Sequence, residues 1–106
     1  MKTVSFHLAA ERELVEALAW YRERSEIAAD NFLTELKATV AKMQQWPLSA
    51  PVVDQTEAGT EIRQVRLRHF PYAVVYVNSE DQLRIIALVH LRRVPGYWTS
   101  RLVDRR

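Results

Sequence analysis

The residues with the clearest chemical potential lie near the end of the chain, where one position separates His90 from Arg92. On an extended strand, side chains two residues apart point to the same face, so both could reach one ligand. Histidine, with an unperturbed pKa of about 6.5, can exchange a proton near neutral pH. Beside it, an arginine could stabilise the extra charge of a phosphate during RNA cleavage. An equally good interpretation is structural: a partly buried His90 bonded to Tyr72 or to a backbone carbonyl.

Arginine dominates the second half of the chain. All nine basic residues from Gly59 onward are arginine, against four acidic residues. Arginine presents a planar fork to phosphate and carboxylate groups and stacks on flat rings. This bias favours an acidic partner, either nucleic acid or an acidic protein segment, over a merely solvated surface. The candidates for catalysis are His90, Arg68 and Arg92, and those for target binding are Arg66, Arg84, Arg93, Tyr72, Tyr97 and Arg101.

Two aromatic residues, Tyr97 and Trp98, follow the arginines. They could stack on a base, with Arg101 closing over it. Alternatively, this segment folds back as a lid on the core. We expect the lid for Trp98, whereas Tyr97 is expected to stay open.

The stretch Leu83–Arg93 contains the strongest predicted strand, because it is rich in aliphatic and β-branched residues. Strict alternation would give it an apolar core face with Leu83, Ile85, Ala87, Val89 and Leu91, and an open face with Arg84, Ile86, Leu88, His90 and Arg92. A simple hairpin loop at Asn78–Gln82 would place Tyr72 opposite Leu88 and Tyr76 opposite Arg84. Both tyrosines would then join the open face.

The remaining elements must support this strand. The pattern predicts a short strand at Thr3–His7, a helix at Ala9–Arg24, and a second helix capped by Ser25 and ended by Trp46–Pro47. Leu48–Gly59 is predicted to be a surface loop, and strands are predicted at Glu61–Phe70 and Tyr72–Val77. The order predicts an α+β fold in one domain over residues 1–106, with a helix hairpin on one face of a small, mainly antiparallel sheet.

Several classes of protein are not indicated. The chain has no cysteine, and its three histidines show no metal-ligand spacing, so we expect neither a metal nor another cofactor. With two glycines, it has no glycine-rich phosphate loop. No signal-peptide pattern opens the chain, and no apolar run approaches the roughly 18 residues of a membrane span. We therefore expect a soluble, cytoplasmic protein.

Together, these motifs resemble the RelE/ParE superfamily of type II toxin–antitoxin toxins, and within it the ParE-like or plasmid-stabilisation branch. The matching residues are Ala10, Glu13, Leu14, Trp20, Tyr21, Phe32, Pro47, Arg63, Phe70–Pro71–Tyr72, Tyr76 and the run from His90 to Trp98. The resemblance covers nearly the whole chain. It implies a β-α-α-β-β-β toxin that stops bacterial growth until a cognate antitoxin binds it in a hetero-oligomer.

The superfamily divides by target. RelE-like toxins cut messenger RNA in the ribosomal A site without a metal, whereas ParE-like toxins block DNA gyrase. The chain departs from the RelE-like pattern, which has lysines around the strand after the helices and an arginine after the tyrosine matching Tyr72. Here no lysine follows Lys42, and Ala73 stands after that tyrosine. The positional matches that remain are Arg92 and an aromatic residue at Tyr97 or Trp98.

Three hypotheses follow. The first is a toxin that binds a large target, with gyrase preferred. The second is a ribosome-dependent mRNA endonuclease that uses His90, Arg68 and Arg92, and the third is an inactive toxin-like interaction protein. Both active forms need a basic partner surface on the open sheet face. The resemblance implies an antitoxin with an acidic binding segment, covering the helix pair or the sheet edge.

Overall fold

A computed structural model describes residues 2–103 of the chain. Within that range the elements, in order, are β1 (Thr3–Phe6), α1 (Leu8–Arg24), α2 (Glu26–Gln45), β2 (Val52–Gln55), β3 (Glu61–Arg66), β4 (Tyr72–Asn78), β5 (Gln82–His90) and a 3₁₀ turn (Thr99–Leu102). The strands form one sheet in the order β1-β5-β4-β3-β2. β1 runs parallel to β5, and the other neighbouring strands are antiparallel. The predicted α+β fold, with two helices on a mainly antiparallel sheet, is confirmed.

Strand β2 lies within the segment that the sequence predicts to be a loop, so that prediction is wrong. All four of its residues are exposed, and β2 pairs only with β3, at the edge of the sheet. An edge strand with both faces in solvent needs no apolar alternation, because its pairing partner alone defines it. The sequence therefore carries little signal for β2.

The helix ends follow from local capping. The Ser25 hydroxyl accepts a hydrogen bond from the Ala28 N–H at 3.1 Å, which confirms the predicted cap of α2. At the start of α1, His7 Nδ1 accepts from the Ala9 N–H at 3.0 Å. His7 is therefore the cap of α1 rather than the last residue of the predicted first strand. Helix α2 ends just before Pro47, as the proline predicts.

The helices cover one face of the sheet with an aromatic core. Tyr21 stacks on Phe32 at 5.2 Å between ring centroids, and Phe32 makes edge contacts with Phe70 and Tyr72. Tyr76 is fully buried in the same core and donates its hydroxyl to the Pro47 carbonyl at 2.7 Å. These contacts hold α1, α2 and β4 together.

The predicted register of the β4–β5 hairpin is wrong. Tyr72 lies opposite His90, not Leu88, and Tyr76 lies opposite Ile85. The register shifts between Val75 and Tyr76, so that Ile86 on β5 is left without a partner. An extra residue of this kind forms a β-bulge, which interrupts the alternation of side chains.

The bulge changes which side chains of β5 face the helices. Before it, Leu83 and Ile85 pack under the helices. After it, Leu88 turns toward the helices, whereas Val89 packs on the opposite face against the cluster that contains Trp98. The predicted assignment of faces is therefore correct through Ile86 and wrong from Ala87 onward. Because β5 is apolar on both sides there, alternation alone could not reveal the change.

The turn between β3 and β4 is fastened to α2 by Glu35. One carboxylate oxygen accepts from the Arg68 N–H at 2.6 Å and the His69 N–H at 3.1 Å, and the other lies 2.6 Å from His69 Nδ1. Burial acts to raise the pKa of Glu35, but these hydrogen bonds and the charge of His69 outweigh it and lower the pKa. The ionised carboxylate therefore stabilises the turn.

We expect Glu35→Gln to lower the free energy of unfolding by about 1–2 kcal/mol at pH 7, because the amide cannot accept all three hydrogen bonds. The lowered pKa adds a pH dependence. The contribution of Glu35 is present above its unfolded pKa of about 4.3 and is lost as the pH falls through the folded value. Urea unfolding should therefore show the gap in unfolding free energy between wild type and variant shrinking as the pH falls below about 4.3. The exposed Glu57→Gln is the control, and a gap independent of pH contradicts this interpretation.

Candidate target-binding site

Two cavities flank the C-terminal end of β5, one on each side of the sheet. On the helix side, the aromatic cavity has a volume of about 370 Å³. Its lining residues are Glu13, Glu16, Ala17, Trp20, Tyr21, Pro71, Tyr72, Leu88, His90, Arg93 and Tyr97. On the opposite side, the arginine groove has a volume of about 460 Å³. Its lining residues are Val53, Asp54, Gln64, Arg66, Val89, Leu91, Arg93, Pro95, Gly96 and Trp98. Arg93 lines both.

The wall between α1 and β5 is built around Glu13. β1 pairs with β5 only as far as Ile85, so from there on no strand within residues 2–103 neighbours this edge of β5. The Leu88 N–H donates to the Glu13 carboxylate at 3.1 Å, and the Ile86 carbonyl accepts from Arg101 at 3.0 Å. Arg101 also pairs with Glu13 at 2.8 Å. An ion pair therefore satisfies the backbone groups that another strand would otherwise bind.

The same carboxylate holds the C-terminal segment. The Tyr97 hydroxyl donates to Glu13 at 2.5 Å, and the Arg93 guanidinium lies 3.7 Å above the Tyr97 ring. Burial and the hydrogen bond to Glu13 raise the pKa of Tyr97 well above its ordinary value. Burial acts to lower the pKa of Arg101, but its bond to Glu13 outweighs this and raises the pKa. Both side chains therefore stay protonated, as the network requires.

These contacts show whether Tyr97 and Trp98 are open for stacking on a base or fold back on the core. Trp98 is buried in the core cluster on the far side of the sheet, so the expected lid is confirmed. Tyr97 does not stay open, because its hydroxyl and one ring face are engaged by Glu13 and Arg93. Arg101 is bound to Glu13 and Ile86 rather than free to close over a base.

His90 lies on the helix side of the sheet, in the aromatic cavity. Its Nδ1 accepts a hydrogen bond from the backbone N–H of Arg92 at 3.1 Å, and its ring meets the Tyr72 ring edge-on at 5.0 Å between centroids. The observed contacts agree with the structural interpretation, in which His90 stabilises the sheet end beside Tyr72. They do not place the Arg92 guanidinium beside the imidazole.

The predicted open-face cluster of histidine and arginines is not formed. Arg84 precedes the bulge and pairs across from Val77, so it lies on the face away from the helices, opposite to His90. Arg68 lies in the turn that Glu35 fastens to α2. Arg66 lines the arginine groove, and Arg92 is exposed just beyond β5. That these arginines bind a target stays a prediction.

Sequence reasoning missed the role of Glu13, which it named only among the residues that match the RelE/ParE superfamily. The sequence of α1 did contain a signal that Glu13 has a buried partner. Glu13 lies on the stripe of α1 that contains Ala10 and Ala17, and both alanines are buried. A carboxylate on a buried stripe needs a cationic or hydrogen-bonding partner. Its partner is 88 positions away, so the pairing itself could not be read from spacing.

Glu13 serves a structural role here and is not available for acid–base chemistry. Both oxygens of Glu13 are occupied by Arg101, Tyr97 and Leu88. The arginine groove, by contrast, is lined by Arg66 and Arg93 beside the buried apolar side chains of Val89 and Trp98. Among residues 2–103, no three histidine or carboxylate side chains are grouped as a metal site requires. None of the helices in this part of the chain is long and apolar enough to cross a membrane.

The protein is thus a small α+β domain in which a helix hairpin covers one face of a five-stranded sheet. The arginine groove lies on the other face. Residues 4–95 match the family model of the ParE toxin of the type II toxin–antitoxin system parDE, and the chain belongs to this family. It is also similar in fold to a chain of a structure described as the chromosomal ParDE TA system from P. aeruginosa. The TM-score is 0.68 at 14% identity, covering 87% of this chain and 98% of the other. No curated protein matches the sequence.

Proposed function

We propose that this toxin inhibits bacterial growth by binding DNA gyrase through the arginine groove, and that a cognate antitoxin neutralises it. Membership of the ParE family supports the class of target and the existence of an antitoxin. The groove supports the mode of action, since Arg66 and Arg93 border an apolar floor at Val89 and Trp98. Basic side chains around apolar contacts favour an acidic protein surface.

The observation that carries this proposal is that His90 lies apart from the arginines predicted to act with it. His90 lines the aromatic cavity, and neither Arg68 nor Arg92 does. Arg66 and Arg84 lie on the other face of the sheet. A general base must come within hydrogen-bond reach of the same substrate that the arginines hold. Binding requires no such convergence, so the geometry favours a binding toxin.

A ribosome-dependent mRNA endonuclease is the second candidate, because one observation favours it. His90, Arg93 and Tyr97 line the same cavity, so an imidazole and a guanidinium do share an accessible site. In this case His90 would move the proton and Arg93 would stabilise the phosphate. The hydroxyl of Tyr97, however, is already donated to Glu13.

Induced expression in a bacterial host tests the proposal. We expect growth arrest that is rescued by an antitoxin with an acidic binding segment, such as the product of a neighbouring gene. The purified toxin should inhibit gyrase supercoiling and leave messenger RNA intact on translating ribosomes. Cleavage in the A site that is lost in His90→Ala would instead establish the endonuclease. Inertness in both assays would indicate a toxin-like interaction protein.

A further inference from the structure

The proposed gyrase interface leaves the aromatic cavity on the helix side of β5 unused. We propose that this cavity receives an arginine or lysine side chain of a partner protein. Its volume of about 370 Å³ lies at the lower end of the range, roughly 300–1,000 Å³, found for ligand pockets. That space suits one long side chain better than a large cofactor.

The walls of the cavity are aromatic. Trp20, Tyr21, Tyr72 and Tyr97 all line it, and 51% of Trp20 is exposed. The faces of such rings attract cations. Two of these rings already make this contact within the chain, since Arg24 lies 3.7 Å over Trp20 and the Tyr97 ring is covered by Arg93 at the same distance. Aromatic rings that line the cavity therefore already bind guanidinium groups of this chain.

The charges that face the cavity also favour a cation. Glu16 is exposed at its rim and forms no ion pair with any residue of the described range 2–103. The guanidinium of Arg93, which also lines the cavity, lies 3.8 Å from the Glu13 carboxylate and 3.7 Å from the centre of the Tyr97 ring. The Nδ1 atom of His90 accepts a hydrogen bond from the Arg92 N–H. Within residues 2–103, Glu16 is therefore the lining carboxylate that has no ion-pair partner.

The titration of Tyr72 supports this negative potential. Burial raises the pKa of Tyr72, and among the groups charged at neutral pH the carboxylates of Glu13 and Glu16 raise it further. A negative potential at the wall of an aromatic pocket attracts an ammonium or guanidinium group.

The experiment uses N-acetyl-arginine methylamide as the probe and N-acetyl-citrulline methylamide as an uncharged control of the same shape. Titrations at constant ionic strength follow the indole N–H signal of Trp20 by NMR, assigned by its loss in Trp20→Ala. We expect saturating shifts with the arginine probe and at least about tenfold weaker binding of the citrulline probe. Glu16→Gln should weaken the arginine probe by about threefold, as expected for an exposed charge pair. The arginine probe should also shift the NMR signals of Tyr72 and His90, and Trp20→Ala should abolish these shifts.

Three results would overturn this assignment. Equal shifts with both probes would show that charge is not recognised. Unchanged binding in Glu16→Gln would show that the rim carboxylate has no role. Larger shifts of the same signals with inorganic phosphate would assign the cavity to anions held by Arg93 and His90.

The test is independent of the gyrase proposal. Arg66 lies on the other face of the sheet, so Arg66→Glu should leave the arginine-probe titration unchanged. If Arg66→Glu lost toxicity but retained probe binding, both proposals would stand. Loss of the probe response in wild type would remove only the proposal for the cavity.

Discussion

Glu13→Ala is expected to lower the free energy of unfolding by about 3–4 kcal/mol, the largest effect we expect of a single substitution. The side chains of Glu13 and Arg101 are only 12% and 15% exposed, so the loss of one leaves the other as a shielded, unpaired charge. The Leu88 N–H also loses its acceptor at the edge of β5. Since small domains are stable by about 5–15 kcal/mol, this is a substantial fraction. Urea unfolding followed by circular dichroism measures it.

Two further variants make this prediction specific. Glu16→Gln, one turn along α1 and exposed, should change the stability by less than about 0.5 kcal/mol. Adding Arg101→Met to Glu13→Ala should recover part of the loss, because no unpaired charge remains beneath the C-terminal segment. A Glu13→Ala protein as stable as wild type would show that the ion pair does not close the edge of β5.

The second large effect concerns toxicity. Arg66→Glu combined with Arg92→Glu should abolish growth arrest and raise the concentration needed to inhibit supercoiling by at least about tenfold. Both side chains are exposed, and Arg66 lines the groove. Reversing their charge places like charges against an acidic target, which costs at least about 1.4 kcal/mol for that tenfold loss. Arg93 is left unchanged because it also contacts Glu13 and Tyr97.

The matched control is Arg12→Glu combined with Lys37→Glu. These two side chains are exposed on α1 and α2, and the double substitution changes the net charge by the same amount. It should remain toxic, and both double variants should unfold at the same urea concentration as wild type. Full toxicity of the Arg66 and Arg92 double variant would exclude the arginine groove as the target interface.

The sequence was sufficient for elements whose signals are local. The cap at Ser25 and the stop before Pro47 define α2 because each depends on neighbouring residues. The apolar stripes of both helices predicted a hairpin on one sheet face, and this is observed. Trp98 was expected to cover the core, which is also observed.

Other features depend on contacts between distant residues. The bulge at Ile86 places His90 on the helix side, although the surrounding strand is apolar on both faces and gives no local sign of it. Strand β2 is defined by its pairing with β3, since its own residues are exposed.

The sequence by itself therefore determined the fold class, the two helices and the arginine-rich character of the second half. Only the tertiary structure decided which arginines share a surface, because a single unpaired residue in β5 exchanges its two faces. It also decided that Glu13 binds Tyr97 and Arg101, more than 80 positions away. Hydrophobic periodicity records which side of an element is buried, whereas the pairing of distant polar groups is recorded only in three dimensions.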